Sequence, residues 1–227
     1  MSDYRFTKPL PMPRGTHYGN NYWIFASYKI RRRSTAFSNL EYTNLISLEM
    51  DPDVEYFCEQ PLEASINEDG KEVKTIFDVW VLYKDGREEF QEVKYRSELE
   101  DKNPDSRSWK QIERQKKWCR VNHYEHTVRT EKEIFIGEYY IDNLSYLAAK
   151  VRRFSESQYG GYYPKIEKEV LAALENRYQT LQTLITSDIL PADHEIDILS
   201  MMYYKGLILF KNMDTAIINA DTEVYLR

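Results

Sequence analysis

The spacing of apolar residues predicts a helix and then a strand near the start of the chain. Apolar positions recur at helical spacing over Ser38–Met50, and Asp51-Pro52-Asp53 interrupts this pattern. The β-rich run Val54–Glu59 follows and meets Pro61, which a central strand excludes. Residues 1–25 are rich in Pro, Gly, Asn and Tyr, and this composition predicts an irregular N-terminal arm.

Two β-rich runs with a short connection predict a hairpin in the middle of the chain. They are Lys74–Tyr83 (KTIFDVWVLY) and Arg87–Tyr95 (REEFQEVKY), and Lys84-Asp85-Gly86 separates them. The first run is apolar on both faces apart from Asp78, which is typical of a central strand covered on both sides.

The elements after the hairpin decide the fold class. Their patterns predict a helix over Arg107–Val121 and a strand over Tyr124–Arg129. The order is then helix, three strands, helix, strand. We expect an α/β fold with a mixed sheet sandwiched by helices, and not an all-parallel doubly wound sheet.

The C-terminal part of the sequence predicts a second, smaller α+β domain. A turn-rich stretch at Gln158–Pro164 is the best candidate linker. Beyond it the patterns predict helices over 166–177, 181–186 and 193–204 and paired strands over 207–210 and 216–219, which is the outline of a winged helix. The predicted organisation is an arm (1–25), a catalytic domain (26–145), a connecting segment (146–165) and a winged-helix-like domain (166–227).

Composition indicates a soluble cytoplasmic protein. Charged residues make up 30% of the chain, mean hydropathy is −0.67, and no apolar run approaches the roughly 18–20 residues of a membrane span. No secretory leader is visible at the N-terminus. Cys58 and Cys119 lie in apolar surroundings without CxxC spacing, so free thiols explain them better than a disulfide or a zinc site.

The net charge of −6 argues against a general nucleic-acid binder, which usually has a basic surplus. Local clusters weigh against that conclusion. One basic cluster lies at residues 29–33 and another at residues 107–120. Because charge distribution matters more than the sum, net charge decides nothing here.

Candidate chemistry centres on the hairpin, where Glu92 and Lys94 share one face of the second strand. A two-residue Asp85-Gly86 loop would place Asp78 opposite Val93 and leave Glu92 on the other face. A three-residue loop with Gly86 in the left-handed conformation pairs Tyr83 with Arg87 and places Asp78 across from Glu92. We predict the three-residue loop.

Neighbouring carboxylates on Asp78 and Glu92 would repel each other, and a hard divalent cation relieves such repulsion. Mg²⁺ suits these oxygen ligands best, with Mn²⁺ able to substitute. A bound metal activates water and stabilises charge on a phosphodiester, while Lys94 can orient the nucleophile or offset phosphate charge. The alternative is a solvated hairpin with cross-strand ion pairs.

This D…ExK pattern resembles the PD-(D/E)xK nuclease motif, with Phe77 where proline is often found. The flanking sequence, from about Ser27 to Glu133, resembles the TnsA-like endonuclease subunit of heteromeric transposases. The matching segments are Ser27-x-Lys29, Ser38-Asn39-Leu40-Glu41, Leu48–Val54 (LEMDPDV), Glu59-Gln60-Pro61, Phe77-Asp78 and Gln91-Glu92-Val93-Lys94. A restriction-endonuclease-like fold is what this resemblance implies.

The resemblance further implies that Glu41, Asp78, Glu92 and Lys94 are catalytic and that the three carboxylates bind the metal. Glutamine replaces Glu92 in some family members. Glu41 also has a purely structural interpretation, because Ser38-x-x-Glu41 is a capping box in which Glu41 only completes the helix start.

Several further residues are candidates for contact with DNA. Lys110, Arg114 and Lys117 share a helical stripe, although a solvated face is the commoner explanation of such stripes. Gln60 is expected near the site by resemblance, or else its amide holds the turn before Pro61. The full candidate set is Lys29, Arg31, Arg32, Arg33, Gln60, Lys110, Arg114 and Lys117. His123 and His126 lie at a helix-to-strand transition and are interpreted as structural.

The predicted third helix of the C-terminal domain opens with an acidic stretch at 194–197, which does not suit a DNA groove. From Tyr146 onward nine basic residues face eleven acidic ones. We interpret this domain as a protein-docking surface, in agreement with the family, whose C-terminal region engages a TnsC-like ATPase.

The resemblance implies a Mg²⁺-dependent endonuclease of prokaryotic cytoplasm. It would hydrolyse double-stranded DNA at transposon ends, on the strand that is not joined to the target. A TnsB-like DDE transposase would cut and join the other strand. Two alternatives stay open, namely a stand-alone nuclease of the same fold in phage defence or DNA repair, and a non-catalytic scaffold that bridges DNA and partner proteins.

Overall fold

The computed structural model describes residues 4–12, 21–100, 106–154, 162–175 and 177–227. The chain divides into two compact units. The first unit is formed by residues 1–48 and 53–134, and the second by residues 49–52 and 135–227.

The first unit is built on a four-stranded mixed sheet. From Trp23 to Ile134 the elements are β1 (Trp23–Ala26), β2 (Arg33–Ala36), α1 (Asn39–Met50), β3 (Val54–Glu59), β4 (Glu63–Glu68), β5 (Lys71–Ile76), β6 (Val79–Tyr83), β7 (Glu88–Val93), α2 (Ser97–Glu100), α3 (Arg107–Asn122), β8 (Glu125–Arg129) and α4 (Glu131–Ile134). The main sheet has the order β3-β6-β7-β8. Only the β7–β8 pair within it is parallel. This mixed sheet with helices fits the predicted restriction-endonuclease-like fold.

Two antiparallel hairpins accompany the main sheet, β1–β2 and β4–β5. The prediction of one continuous strand over Lys74–Tyr83 is wrong, because the chain leaves β5 at Ile76 and enters β6 at Val79. The two strands belong to different sheets. No glycine or proline separates them, so the sequence shows one continuous β-rich run. Phe77 and Asp78 occupy the transition.

The β6–β7 connection has the predicted three-residue loop. The Tyr83 N–H donates to the Arg87 carbonyl over 2.9 Å, and Leu82 lies opposite Glu88 in the ladder. Gly86 has φ +88°, and a Cβ there would meet nothing within 4 Å. The left-handed backbone, and not crowding, therefore requires glycine. Continuing this register places Asp78 across from Glu92.

Aromatic packing fixes the centre of the main sheet. Phe77 and Phe90 are fully buried, and their ring centroids lie 4.5 Å apart. Trp118 of α3 contacts both rings. The side chain of Ser106 caps the start of α3 by accepting from the Trp109 N–H, and His123 ends the helix in a left-handed conformation. The caps define both ends of α3, and Trp118 packs the helix against the sheet that carries Glu92.

A buried amide connects α1 to the sheet. Asn44 donates to the Gln91 Oε1 over 2.9 Å and accepts from the Arg129 Nε over 3.3 Å. A buried polar side chain is stable only when its hydrogen bonds are made. This contact therefore sets the position of the helix that carries Glu41.

The second unit combines helices with a small antiparallel sheet. Its elements are α5 (Tyr140–Arg153), α6 (Tyr163–Leu174), β9 (Gln179–Thr180), α7 (Leu181–Ile185), α8 (Glu195–Tyr204), β10 (Ile208–Phe210) and β11 (Glu223–Leu226). The strand order is β10-β11-β9. The winged-helix assignment stays a prediction.

The predicted strand 216–219 is wrong, because β10 pairs with β11 instead. The reason is the buried Asn143, whose amide nitrogen donates to the Met213 and Ala216 carbonyls over 2.8 and 2.7 Å. Its amide oxygen accepts from the Ile218 N–H over 2.9 Å. A side chain thus satisfies the backbone groups that a strand would have used.

Regular structure occupies parts of two segments predicted to be irregular. β1 begins at Trp23, inside the predicted arm, and residues 13–20 of that arm lie outside the described residues. Helix also occupies both ends of the predicted connecting segment 146–165, where α5 runs to Arg153 because it buries Leu147 and Val151 at helical spacing. The middle of this connecting segment, 155–161, lies outside the described residues, and α6 includes the end of the predicted linker Gln158–Pro164. Within the described ranges, no helix is both long and apolar enough to cross a membrane.

We predict that Asn143→Ala lowers the free energy of unfolding by about 2–4 kcal/mol, since it leaves buried backbone groups without partners. The matched control Gln182→Ala removes an amide from an exposed position of α7 and should change stability by less than about 0.5 kcal/mol. Urea unfolding followed by circular dichroism measures both. Equal losses in the two variants would contradict a structural role for Asn143.

Candidate active site

Backbone hydrogen bonds fix Asp78 at the entrance to β6. Its Oδ2 accepts from the Val93 N–H over 2.7 Å, and its carbonyl accepts from the Gln60 N–H over 2.9 Å. Burial raises the pKa of the Asp78 carboxyl, while Lys94 and the Val93 N–H oppose that rise. Asp78 is therefore a half-buried carboxyl, and the hairpin itself determines its orientation.

Glu92 is fully buried and surrounded by hydrogen-bond donors. Its Oε1 accepts from the Lys94 Nζ over 2.6 Å and from the Gln111 Nε2 over 2.7 Å. Its Oε2 accepts from the Gln115 Nε2 over 2.6 Å. Burial and the nearby Asp78 carboxylate raise the pKa of Glu92 to about 8, against the opposing effect of Lys94 and Gln115.

Lys94 is the cation of this group. Its side chain is 18% exposed. Burial opposes its charge, yet the Asp78 and Glu92 carboxylates raise its pKa. Lys94 is therefore protonated at neutral pH, and it can offset negative charge but cannot act as a base.

Glu41 joins the group from α1. Its Oε2 accepts from the Phe37 N–H over 3.0 Å, and its own N–H donates to the Ser38 Oγ over 3.1 Å. Burial and the Asp78 carboxylate raise the pKa of Glu41 to about 7. The side chain takes part in the helix start and also interacts electrostatically with Asp78 and Lys94, so the two interpretations of Glu41 are compatible.

One cavity of about 600 Å³ brings these groups together. Its lining contains Glu41, Asp78 and Lys94, together with Met12, Phe37, Ser38, Gln60, Glu63, Lys74, Thr75, Ile76, Arg107, Gln111 and Arg114. Glu92 is buried outside this lining and contacts it through Lys94 and Gln111. A substrate in the cavity would meet both acidic side chains (Glu41, Glu63 and Asp78) and basic ones (Lys74, Lys94, Arg107 and Arg114).

The predicted metal ligands can be tested by their donor chemistry. Within the described part of the chain, no three His, Cys, Asp or Glu side chains form a ready arrangement for a metal ion. Glu41 and Asp78 nevertheless present carboxyl oxygens to one cavity, and the Asp78 charge opposes ionisation of Glu41. A hard cation relieves such repulsion, so these two oxygen donors fit Mg²⁺. Glu92 is less available, because three donors already occupy its oxygens.

The basic cluster before α1 is largely engaged in the fold. Arg32 donates to both carboxylate oxygens of the buried Glu59 over 2.6 and 2.8 Å. Lys29 donates to the Val54 carbonyl over 2.8 Å, and the Arg31 guanidinium lies 3.9 Å from the centre of the Tyr28 ring. Arg33 is exposed. These contacts assign Arg32 a structural ion pair, which its sequence position did not indicate.

The other candidates for DNA contact lie on α3 and at the end of β3. Arg114 lines the cavity and donates twice to Glu68 over 2.8 Å, while Lys110 and Lys117 are exposed. Gln60 also lines the cavity and adopts a left-handed φ of +37°. Gln60 is thus beside Asp78 as expected, in a conformation that costs a non-glycine residue energy.

Sequence reasoning missed Gln111 and Gln115. They lie four positions apart (i and i+4), so they share one face of α3. In the sequence they lie among lysines and arginines that suggest a solvated stripe. Polar residues at helical spacing among charged ones were the available sign, but the sequence does not show which face turns inward.

Comparison with known families assigns the domain. Residues 51–131 match the family model described as TnsA-like endonuclease N terminal, and no curated protein matches the chain. The matched segment contains Asp78, Glu92 and Lys94, whereas Glu41 precedes it. The predicted resemblance is confirmed over residues 51–131, where the chain is similar to the TnsA-like endonuclease N-terminal domain.

Proposed function

We propose that the protein is the Mg²⁺-dependent endonuclease subunit of a heteromeric transposase. It hydrolyses phosphodiester bonds at transposon ends, on the strand that is not transferred. One observation carries this proposal: in a TnsA-like domain, the hairpin register places Asp78 opposite Glu92 and brings Lys94 to the cavity that Glu41 also lines.

The residues around the cavity have different proposed roles in the reaction. The Glu41 carboxyl, with a pKa of about 7 in the metal-free protein, can release its proton near neutral pH when a cation binds. Lys94 offsets the negative charge that develops on the phosphate in the transition state. Asp78 and Glu41 would hold Mg²⁺, which when bound supplies a more acidic water and a second positive charge.

The proposed partners follow from the family and from the charge of the chain. A TnsB-like DDE transposase would cut and join the other strand, and a TnsC-like ATPase would dock on the C-terminal domain. From Tyr146 onward acidic residues outnumber basic ones, which favours a protein partner over DNA for that surface.

The central test is cleavage of end-labelled transposon-end DNA in Mg²⁺ with the partner proteins supplied. Asp78→Asn keeps the size of the side chain and should lower cleavage of the non-transferred strand by about 10²–10⁴-fold. Asp85→Asn, an exposed change in the same hairpin, should leave it unchanged.

The same assay discriminates between the alternatives. Equal cleavage by wild type and Asp78→Asn would remove Asp78 from the mechanism. Cleavage that needs no partner would favour a stand-alone nuclease, and the absence of cleavage in every assembled complex would favour a scaffold.

A second test separates the capping and catalytic roles of Glu41. Ser38→Ala removes the hydroxyl that accepts from the Glu41 N–H, so it should cost about 0.5–2 kcal/mol of stability with little loss of cleavage. Glu41→Gln retains an oxygen for the Phe37 N–H but cannot ionise, so it should preserve stability and abolish cleavage. If Glu41→Gln cleaves like wild type, Glu41 is a capping residue only.

A third test uses the raised carboxyl pKa values. Glu41 and Glu92, with pKa values of about 7 and 8, retain protons in the folded protein that they lose in the unfolded chain. Their contribution to stability is full below a pH of about 4.5 and is lost as the pH rises through 7 and 8. The metal-free melting temperature should therefore fall between pH 5.5 and 8.

Mg²⁺ should restore that loss, because it binds the ionised carboxylates of the folded protein. The rise in melting temperature should be larger at pH 8 than at pH 5.5 and should be absent in Asp78→Asn. A rise of the same size in that variant would show that Mg²⁺ binds elsewhere.

A further inference from the structure

A chain of hydrogen bonds leads from β8 to the buried Glu92. It starts at His126, passes through the side-chain amide of Gln115 on α3, and reaches the Glu92 carboxylate, which holds the Lys94 Nζ. Neither Gln115 nor His126 lines the cavity. Any effect of these two residues on the reaction must therefore pass through side chains that line the cavity, such as Lys94.

Both the nitrogen and the oxygen of the Gln115 amide form hydrogen bonds. Its Nε2 donates to the Glu92 Oε2 over 2.6 Å and to the Ile76 carbonyl over 3.2 Å. The side chain is fully buried. Rotating this amide by 180° would place its oxygen against the carboxylate, so Glu92 fixes which end of the amide faces it.

His126 completes the arrangement from the other end. The Gln115 Oε1 lies 3.1 Å from the His126 Nε2, and an amide oxygen can only accept. Burial and the nearby Lys116 lower the pKa of His126 to about 4, so the ring is neutral at neutral pH. The geometry therefore assigns the single ring proton to Nε2.

We infer that Gln115 and His126 are positioning residues that hold the Glu92 carboxylate, and through it the Lys94 Nζ, at the catalytic cavity. His126 restrains the amide of Gln115, which then presents a fixed donor to Glu92. This inference rests on the proposed endonuclease function. It assigns Gln115 of α3 and His126 of β8 a part in the reaction, although neither side chain lines the cavity.

Removal of the donor is the direct test. Gln115→Met keeps a similar volume and loses the hydrogen bonds to Glu92, Ile76 and His126, so kcat for cleavage of transposon-end DNA in the assembled complex should fall by about 10–100-fold. The KM for DNA should stay unchanged, because Gln115 does not touch substrate. Cys119→Ala is the matched control. Cys119 is also buried on α3 but lies outside the cavity lining, so kcat should change by less than about threefold for a comparable loss of stability.

Coupling between the two positions tests the relay. His126→Phe should lower kcat less than Gln115→Met does, because Glu92 still orients the amide. It should add almost nothing in the Gln115→Met background, since His126 acts only through Gln115. Additive losses in the double variant would overturn the relay.

Nitrogen NMR of the histidine rings gives a readout that needs no cleavage. His126 should show the neutral form protonated at Nε2 in the wild-type chain and a mixture of the two neutral forms in Gln115→Met. An unchanged spectrum in Gln115→Met would overturn the inference.

The failures of the two proposals can be told apart. If Asp78→Asn is inactive while Gln115→Met has the kcat of wild type, the endonuclease proposal stands and the positioning role is wrong. If Asp78→Asn cleaves like wild type, the endonuclease proposal is wrong, and the positioning role in the reaction is wrong with it. The NMR result then reports only whether the hydrogen bond exists.

Discussion

The hydrogen bond from the Tyr83 N–H to the Arg87 carbonyl sets the register on which the whole site depends. Side chains alternate between the two faces of a strand, so a slip of one residue would turn Glu92 and Lys94 to the opposite face. It would also remove the Val93 N–H from the Asp78 carboxylate. Because Gly86 adopts a left-handed conformation at no cost, a single turn residue preserves both the fold of the hairpin and the geometry of the site.

The site gathers more acid than base in a buried space. Three carboxyls (Glu41, Asp78 and Glu92) share one ammonium, that of Lys94, and neutral donors supply the rest of the compensation. Amide donors stabilise a buried carboxylate without cancelling its charge, so the excess raises the carboxyl pKa values. The resulting strain on the folded state is what a divalent cation would relieve. In the metal-free protein, ionisation of these carboxyls lowers the stability of the folded state, although the ionised form is the one that binds a cation.

Features with a local cause could be predicted from the sequence. The helix start at Ser38, the strand Val54–Glu59 and the three-residue turn before Arg87 each depend on a few adjacent residues, and the structure has them where the sequence predicts them. Features that depend on distant partners could not. The break at Phe77 arises because β5 and β6 enter different sheets, and residues 216–219 are not a strand because Asn143 takes their hydrogen bonds. Gln115 belongs to the same class, since its role appears only when Glu92 is brought against α3.

Two arginines of the basic clusters also have distant partners that the sequence does not reveal, and this affects the case for DNA binding. Arg32 and Arg114 belong to basic clusters in the sequence, yet each meets an acidic partner far along the chain, Glu59 and Glu68 respectively. A guanidinium that is held in a double hydrogen bond to a carboxylate contributes little attraction to a phosphate backbone. The two basic clusters are therefore weaker evidence for direct DNA binding than the sequence suggests. This favours the proposed assembly, in which partner proteins hold the transposon end.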